Sequence, residues 1–184
     1  MRVLVVEDEN RLNALIRTAL TEEGYAADAA HDGEEASYLV SINPYDLIVL
    51  DAFSSDAIPI HLMTREAMAT YVSKLAPDGI VLMHVSNRHL ELASVVAGIA
   101  HANGLVSRVN NRAARDDEED ARYIFTSTVV ISAREEKDFG ELLEDKDWQP
   151  IEPDAKQRIW TDDYSNVVGA IIRNLRKYHA TSEE

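Results

Sequence analysis

The feature that most constrains this chain is a short apolar run, residues 47–50, that ends at the carboxylate of Asp51. Turn-forming residues bound the run on both sides, at 43–44 and 54–56. A bounded run of about four to eight apolar residues is typical of a buried strand in a parallel sheet. Open α/β sheets bind ligands at the carboxyl ends of such strands, so Asp51 is the first candidate functional residue.

Strand-like and helix-like segments alternate along the chain, which predicts a three-layer α/β/α doubly wound sheet with right-handed crossovers. No Pro-rich or Gly/Ser-rich linker interrupts the pattern, so we expect a single domain over residues 1–184. The sixth strand follows the fifth through a polar loop at 110–120 and should pair antiparallel. The six predicted strands lie at residues 2–6, 25–30, 47–50, 80–85, 105–109 and 123–132.

Capping residues and apolar faces locate the helices. Asn10 is expected to cap the first helix, Thr64 the helix after the third strand, and Thr161 to open the last helix. Residues 76–79 should form a turn, and His84 should be a core histidine in the fourth strand. The faces expected to pack inward are Leu12, Leu15, Ile16, Ala19 and Leu20 in the first helix, and Val167, Val168, Ile171, Ile172 and Leu175 in the last.

The composition of the chain argues against two classes of partner. A net charge of −15 argues against nucleic acid and anionic membranes as partners, because both are bound through clustered Lys and Arg. The chain has no cysteine, and no apolar run approaches the roughly 20 residues of a membrane helix. We therefore expect a soluble, cytoplasmic protein, and the residues indicate no particular partner.

The stretches MRVLVVEDEN, RLNALIRTALTEEGY and DGEEASYLV, running on to NPYDLIVLD, resemble the receiver domain of bacterial response regulators over about residues 1–51. The resemblance implies a Mg²⁺ site formed by Glu7, Asp8, Asp51 and the backbone carbonyl of Phe53, with Asp51 as phosphoacceptor. Mg²⁺ prefers such hard oxygen ligands. Carboxylates that converge in this way repel one another, so at least one carboxyl pKa should be raised.

Receiver domains also carry a hydroxyl residue after the fourth strand and a lysine after the fifth. Ser86 matches the hydroxyl position. No lysine follows the fifth strand, and Arg108 in that region is a planar guanidinium that does not replace a point charge. The resemblance thus supports metal binding better than phosphoryl transfer.

The stretches DAFSSDAIPIHLMTREAM, LAPDGIVLMHVSN, STVVISAR and WTDDYSN resemble the C-terminal half of spermidine synthase-like aminopropyltransferases, which have the Rossmann-type methyltransferase fold. This resemblance covers about residues 45–178 and implies that Asp51 and Asp56 handle the attacking amine. That family holds its cofactor with a glycine-rich first loop. Here the loop is Glu7-Asp8-Glu9, so no S-adenosylmethionine-type cofactor is expected.

The two resemblances meet at YDLIVLD, which fits both families. We interpret the chain as a chimera, receiver-like over residues 1–51 and aminopropyltransferase-like over 52–184, with engineering as the preferred origin and natural recombination as the alternative. Both families place the third strand beside the first, which predicts the sheet order 2-1-3-4-6-5. The leading interpretation is a scaffold without physiological catalytic activity that retains a divalent-metal pocket. A phosphorylatable receiver and an aminopropyltransferase are the alternatives.

Overall fold

A computed structural model describes residues 1–51, 60–87, 89–112 and 127–181. The strands are β1 (Arg2–Val6), β2 (Ala26–Ala30), β3 (Tyr45–Leu50), β4 (Leu75–His84), β5 (Val106–Arg112), β6 (Ser127–Ala133) and β7 (Trp148–Pro150). The helices are α1 (Asn10–Glu22), α2 (Gly33–Ile42), α3 (Arg65–Lys74), α4 (Ala93–Ala102) and α5 (Val167–Thr181), with 3-10 helices at Ile60–Leu62 and Glu136–Leu143. None of the described helices is long and apolar enough to cross a bilayer.

One mixed sheet joins all seven strands in the order β2-β1-β3-β4-β6-β5-β7. The pairs β1–β2, β1–β3 and β3–β4 are parallel, and β6 is antiparallel to both β4 and β5. The predicted α/β fold and the order of the first six strands are therefore confirmed. The seventh strand was not predicted, because it has only three residues and ends at Pro150, which a sheet tolerates at its edge.

The larger core lies on the face of the sheet that α2, α3 and α4 cover. Alternate strand residues such as Leu4, Ile48 and Met83 point into it and are almost fully buried. Trp160, which precedes α5, is also fully buried there. Helices α2, α3 and α4 thus cover this face from β2 to β5.

The opposite face is covered less completely. Val3 and Val5 point to it, because Leu4 and Val6 point to the larger core, and the right-handed crossover places α1 over β1 and β2. A smaller cluster forms where Phe139 packs on β6. The 3-10 helix Glu136–Leu143, here called the acidic segment, carries Phe139. Between α1 and this segment the β3 side chains are only partly covered.

Several helix boundaries differ from the prediction. Thr64 caps α3 as expected, with its hydroxyl accepting from Ala67 N. Asn10 does not cap α1: the Glu9 carboxylate accepts from the first free amides of the helix and is its N-cap. Thr161 does not open α5, since the helix begins at Val167 and the side chain of Asn166 accepts from Gly169 N.

The predicted inward faces of the first and last helices are wrong in part. Ile16 and Leu20 are half-buried, but Leu12 and Leu15 are exposed. In α5 only Val167 packs against the core, while the other four predicted inward residues are exposed. The amphipathic pattern is present in both helices, yet no described part of the chain covers these residues.

The predicted turn at 76–79 lies within the bounds of β4 but interrupts its pairing with β3. The register passes from Tyr45↔Leu75 to Leu47↔Ile80, so residues 76–79 form an irregularity without a ladder partner on β3. Residues 110–112 of the predicted polar loop are strand residues, which extend β5 and pair with β6. Ladder bonds to β6 outweigh the weak turn signal of these polar residues. Phe53, Asp56, the rest of the predicted loop (113–120) and the start of the predicted sixth strand (123–126) lie outside the described residues.

Candidate functional site at the carboxyl edge of the sheet

The carboxyl ends of β1, β3 and β4 lie side by side, so the residues that follow them meet at one edge. Glu7 follows β1, Asp51 follows β3, and His84 is the last residue of β4. The amide of Asp51 donates to Val6 O at 2.9 Å, which continues the β1–β3 ladder by one residue. This bond holds Asp51 beside Glu7, as the sequence predicted.

Asp51, His84 and Ser86 form a continuous chain of hydrogen bonds. His84 Nδ1 lies 2.5 Å from Asp51 Oδ1, and His84 Nε2 lies 2.6 Å from Ser86 Oγ. In the tautomer with its proton on Nδ1, His84 donates to Asp51, and its Nε2 accepts from the serine hydroxyl. Thr128 N also donates to Ser86 Oγ at 2.8 Å and fixes the hydroxyl from the β6 side.

The electrostatics of the site raise the pKa of His84. Its hydrogen bond with Asp51 raises the pKa of the imidazole, burial opposes this, and the charges of Asp51 and Glu7 add to the rise. The His84 and Asp51 side chains are 32% and 26% exposed, so both remain accessible from solvent. The predicted core histidine is thus a member of the site.

Glu7 is the most perturbed carboxyl at this edge. It is only 3% exposed, and burial raises its pKa to about 7, with the charges of Asp51 and Asp8 adding to the rise. The amide of Glu9 donates to Glu7 Oε1 at 2.8 Å, and this hydrogen bond lowers the pKa of Glu7. The raised carboxyl pKa was predicted from repulsion, but burial is the larger cause.

The described side chains do not form a ready-made metal site. Carboxylates of Glu7 and Asp51 have the hard oxygens that Mg²⁺ prefers. However, Glu7 Oε1 already accepts from Glu9 N, and Asp51 Oδ1 is bonded to His84. Within the described residues, no three acidic or histidine side chains surround a common point. The metal assignment of Glu7, Asp8, Asp51 and Phe53 stays a prediction, and an ion at Asp51 would compete with His84.

The cation that receiver domains use to contact the phosphoryl group has no equivalent among the described side chains at this edge. Arg108 donates to Glu136 Oε2 at 2.9 Å and to Trp148 O at 3.0 Å. These bonds tie its guanidinium to the acidic segment and to β7. Arg108 is therefore a structural residue that joins two neighbouring elements.

Sequence reasoning missed His84 as a functional residue, although a signal was present. His84 and Ser86 are two positions apart at the end of a strand, so they share a face. The neighbouring strand β3 ends in Asp51. An aspartate, a histidine and a serine at adjacent strand ends could have indicated the hydrogen-bonded chain.

No family model matches the chain. The transcriptional regulatory protein TcrA of Mycobacterium tuberculosis is 49% identical over 51 residues, which are 28% of this chain and 20% of TcrA. The transcriptional regulatory protein ResD of Bacillus subtilis is 39% identical over 80 residues, 42% of this chain and 33% of ResD. The chain thus covers about a fifth to a third of the length of these curated relatives.

Among solved structures, a probable spermidine synthase from Corynebacterium glutamicum superposes with a TM-score of 0.55 at 14% identity. The match covers 90% of this chain and 74% of that protein. At this identity the likeness shows a shared Rossmann-like fold alone. Both resemblances seen in the sequence, to response regulators and to the spermidine synthase fold, are confirmed.

Proposed function

We propose that Ser86 is a nucleophile activated by His84 and Asp51, and that the site catalyses acyl transfer from esters to water. The observation that carries the proposal is the Asp51–His84–Ser86 chain, with hydrogen bonds of 2.5 and 2.6 Å. A serine is a weak nucleophile until a neighbouring base accepts its proton, and a carboxylate behind the base orients it. Asp51, His84 and Ser86 lie in this order, and the Nδ1–H tautomer of His84 lets Nε2 accept from the serine hydroxyl.

Each step uses groups of this chain and balances its protons. Ser86 Oγ attacks the carbonyl carbon of the ester while its proton moves to His84 Nε2, and Asp51 stabilises the imidazolium. The proton then passes to the departing alcohol as the acyl group stays on Ser86. Water attacks the acyl-serine in the same way, with His84 as base, and releases the carboxylic acid.

Hydrolysis of p-nitrophenyl acetate tests the proposal, because this small activated ester does not require an extended substrate cleft. We expect the full chain to hydrolyse it above the uncatalysed rate. The Ser86→Ala variant should lose this excess, and Asp51→Asn should lose most of it. Ser73→Ala, at an exposed α3 serine, is the matched control and should not differ from wild type.

A fluorophosphonate probe supplies an independent readout, since it labels an activated serine covalently. Mass spectrometry should find the label on Ser86. Equal hydrolysis by wild type and Ser86→Ala, with no label on Ser86, would mean that the chain is the scaffold without catalytic activity that the sequence first indicated.

We also propose that the chain is a chimera of two segments with different ancestry. Sequence similarity to response regulators extends over only 51 and 80 residues in the two relatives, whereas the spermidine synthase fold matches 90% of the chain. This difference supports a receiver-like first segment joined near residues 45–51 to an aminopropyltransferase-like remainder. The engineered origin remains an interpretation, and it has no bearing on the chemistry of the site.

A divalent-cation pocket is the second candidate function. It is favoured by the buried carboxyl of Glu7, whose pKa is raised in part by Asp51 and Asp8. A cation relieves such repulsion only in the folded chain, because the unfolded chain does not bring Asp51 near Glu7 and Asp8. Phosphoryl transfer to Asp51 has less support because His84 holds one of its oxygens. Aminopropyl transfer has less support because acidic residues replace the glycine loop.

A further inference from the structure

The ladder between β4 and β6 ends beside the candidate site. His84 pairs with Val129, and the next amide of the chain, that of Val85, donates to Thr128 O at 2.8 Å. A regular antiparallel pair of this kind exchanges two bonds, so the amide of Thr128 would be expected to donate to the carbonyl of Val85. It donates instead to Ser86 Oγ at 2.8 Å. A backbone amide of β6 is therefore directed at the oxygen that we propose as the nucleophile.

The two hydrogen bonds of Ser86 Oγ use part of its bonding capacity. A serine hydroxyl has one proton and two lone pairs. The proton is shared with His84 Nε2, 2.6 Å away, in the tautomer of His84 that has its own proton on Nδ1. The amide of Thr128 takes one lone pair, which leaves the other for attack on a substrate. Ser86 is only half-buried, so part of its surface is open to solvent.

Two neighbouring strands hold the Thr128 amide in this direction. On the β4 side, the carbonyl of Thr128 accepts from the amide of Val85. On the β5 side, Thr128 pairs in register with Asn111, and its hydroxyl donates to Asn111 Oδ1 at 3.1 Å. A donor fixed in this way needs no rearrangement when charge develops on the oxygen that it faces. Such preorganised donors are a principal source of electrostatic stabilisation in enzymes.

The hydrogen bond from Thr128 N to Ser86 Oγ should strengthen during the reaction. Negative charge builds on Oγ as its proton moves to His84 Nε2. Hydrogen bonds to a charged oxygen are roughly twice as strong as those between neutral groups. An interaction that is stronger in the transition state than in the ground state lowers the barrier, whereas one that is equally strong in both does not. The amide therefore has the geometry of a group that accelerates the reaction.

We propose that the backbone N–H of Thr128 is a catalytic group, which stabilises the negative charge at Ser86 Oγ during acyl transfer. As the bond between Oγ and the carbonyl carbon forms, the proton of Oγ goes to His84 Nε2, and one electron pair of the carbonyl double bond goes to the carbonyl oxygen. Thr128 keeps its proton and remains a hydrogen-bond donor to the tetrahedral adduct. This inference rests on the proposed acyl transfer, and it gives β6 a part in chemistry otherwise carried by residues at the ends of β3 and β4.

Thr128→Pro removes the donor, because proline has no N–H. The preceding residue, Ser127, lies in β6 and so has the extended backbone that a following proline favours. Thr128→Ala is the matched comparison, since it also lacks the hydroxyl but keeps the amide. We expect Thr128→Pro to hydrolyse p-nitrophenyl acetate at least tenfold more slowly than Thr128→Ala, because loss of one such donor lowers kcat by about 10²–10³. Circular dichroism and urea unfolding check that both variants fold.

The Thr128 amide can also be observed directly in the wild-type chain. Ser127 and Thr128 form the only Ser-Thr pair in the sequence, so ¹³C-carbonyl serine combined with ¹⁵N threonine gives a single carbonyl-coupled amide signal. Phenylboronic acid forms a tetrahedral, anionic adduct with an activated serine. The adduct should move the Thr128 amide proton downfield, because its hydrogen bond then has a charged acceptor. Ser86→Ala, which cannot form the adduct, should show no such change.

The outcomes distinguish this inference from the proposed function. Hydrolysis by wild type, with equal rates in folded Thr128→Pro and Thr128→Ala, would overturn the role of the amide and leave Ser86 as the nucleophile. An unmoved Thr128 signal in a chain whose boronate adduct is seen by ¹¹B NMR would also overturn it, and this result decides the question if Thr128→Pro does not fold. A wild-type chain with no ester hydrolysis, no fluorophosphonate label and no boronate adduct would overturn both proposals.

Discussion

Replacing Glu7 by Gln should stabilise the fold above pH 7 and flatten its pH dependence. Glu7 is buried, and burial raises its pKa from the ordinary 4.5 to about 7 in the folded chain. The folded chain therefore binds this proton more tightly than the unfolded chain does. Glutamine resembles the protonated carboxyl in shape, and its amide oxygen can still accept from Glu9 N.

The magnitude follows from proton linkage. The difference of about 2.5 pKa units corresponds to roughly 3 kcal/mol at 1.36 kcal/mol per unit. The pKa of the Glu7 carboxyl is raised in the folded chain, so its protonated form stabilises the fold. This contribution to the free energy of unfolding is fully present below pH 4.5 and is lost as pH rises through about 7. Glu7→Gln should remove this loss, so the variant should gain stability relative to wild type as the pH increases.

Urea unfolding at pH 5, 6, 7 and 8 measures the effect directly. The free energy of unfolding of wild type should fall across this range, and that of Glu7→Gln should fall less, with the gap widest at pH 8. Glu22→Gln, at an exposed position near the end of α1, is the matched control and should track wild type. Parallel curves for wild type and Glu7→Gln would refute the burial argument.

Other outcomes follow from the same site and fold. Ester hydrolysis should decrease as pH falls through the raised pKa of His84, because only the neutral imidazole can accept the serine proton. A pH–rate profile without that inflection would exclude His84 as the base. His84→Ala frees Asp51, so about 10 mM Mg²⁺ should stabilise this variant by roughly 1.4 kcal/mol if the dissociation constant is near 1 mM, and wild type by less. Adding Asp51→Asn to His84→Ala should abolish the response in thermal melts; an unchanged response would place the ion elsewhere. Calorimetry should detect no micromolar binding of S-adenosylmethionine or its decarboxylated form, since acidic residues replace the glycine loop. The chain should unfold in one transition, and separate melting of residues 1–45 would show that the two segments do not share a core.

The strand pattern predicted the sheet well because buried parallel strands leave a strong apolar signal. Residues 2–6, which end at an acidic loop, and residues 47–50, which turn residues flank, fall within β1 and β3. The seventh strand has no such signal: Trp148–Pro150 is held by pairing with β5, which is a property of the folded partner and not of the three residues. Tertiary pairing likewise drew residues 110–112 into β5.

In α1 and α5 the apolar periodicity predicted the helices but not which of their residues are buried. The spacing of Val168, Ile171, Ile172 and Leu175 identifies an apolar face, but it does not specify what the face meets. In α1 the predicted face is wider than the part that packs on the sheet, so Leu15 remains exposed. An amphipathic pattern predicts that a helix has an apolar face, and burial of that face depends on the neighbouring elements of the fold.

The sequence predicted the acidic residues of the candidate site, Glu7 and Asp51, but it did not predict the histidine, His84. Strand ends brought Glu7 and Asp51 together as expected, because parallel strands β1 and β3 are neighbours. His84 was assigned to the core because it lies in a strand that is mostly apolar. Its role depends on the rotamer that joins Asp51 to Ser86, and side-chain orientation cannot be inferred from the spacing of residues alone.

The position of β6 has a consequence for how the chain acquires its fold during synthesis. β6 lies between β4 and β5, so β5 has no neighbour in the sheet until residues 127–133 have left the ribosome. Until then, a nascent chain that includes β5 presents β4 as a bare sheet edge and β5 as an unattached strand. Unpaired edges of this kind template aggregation. Fragments that end between residues 112 and 127 should therefore be the least soluble truncations of this protein, and slow translation through that interval should lower its yield.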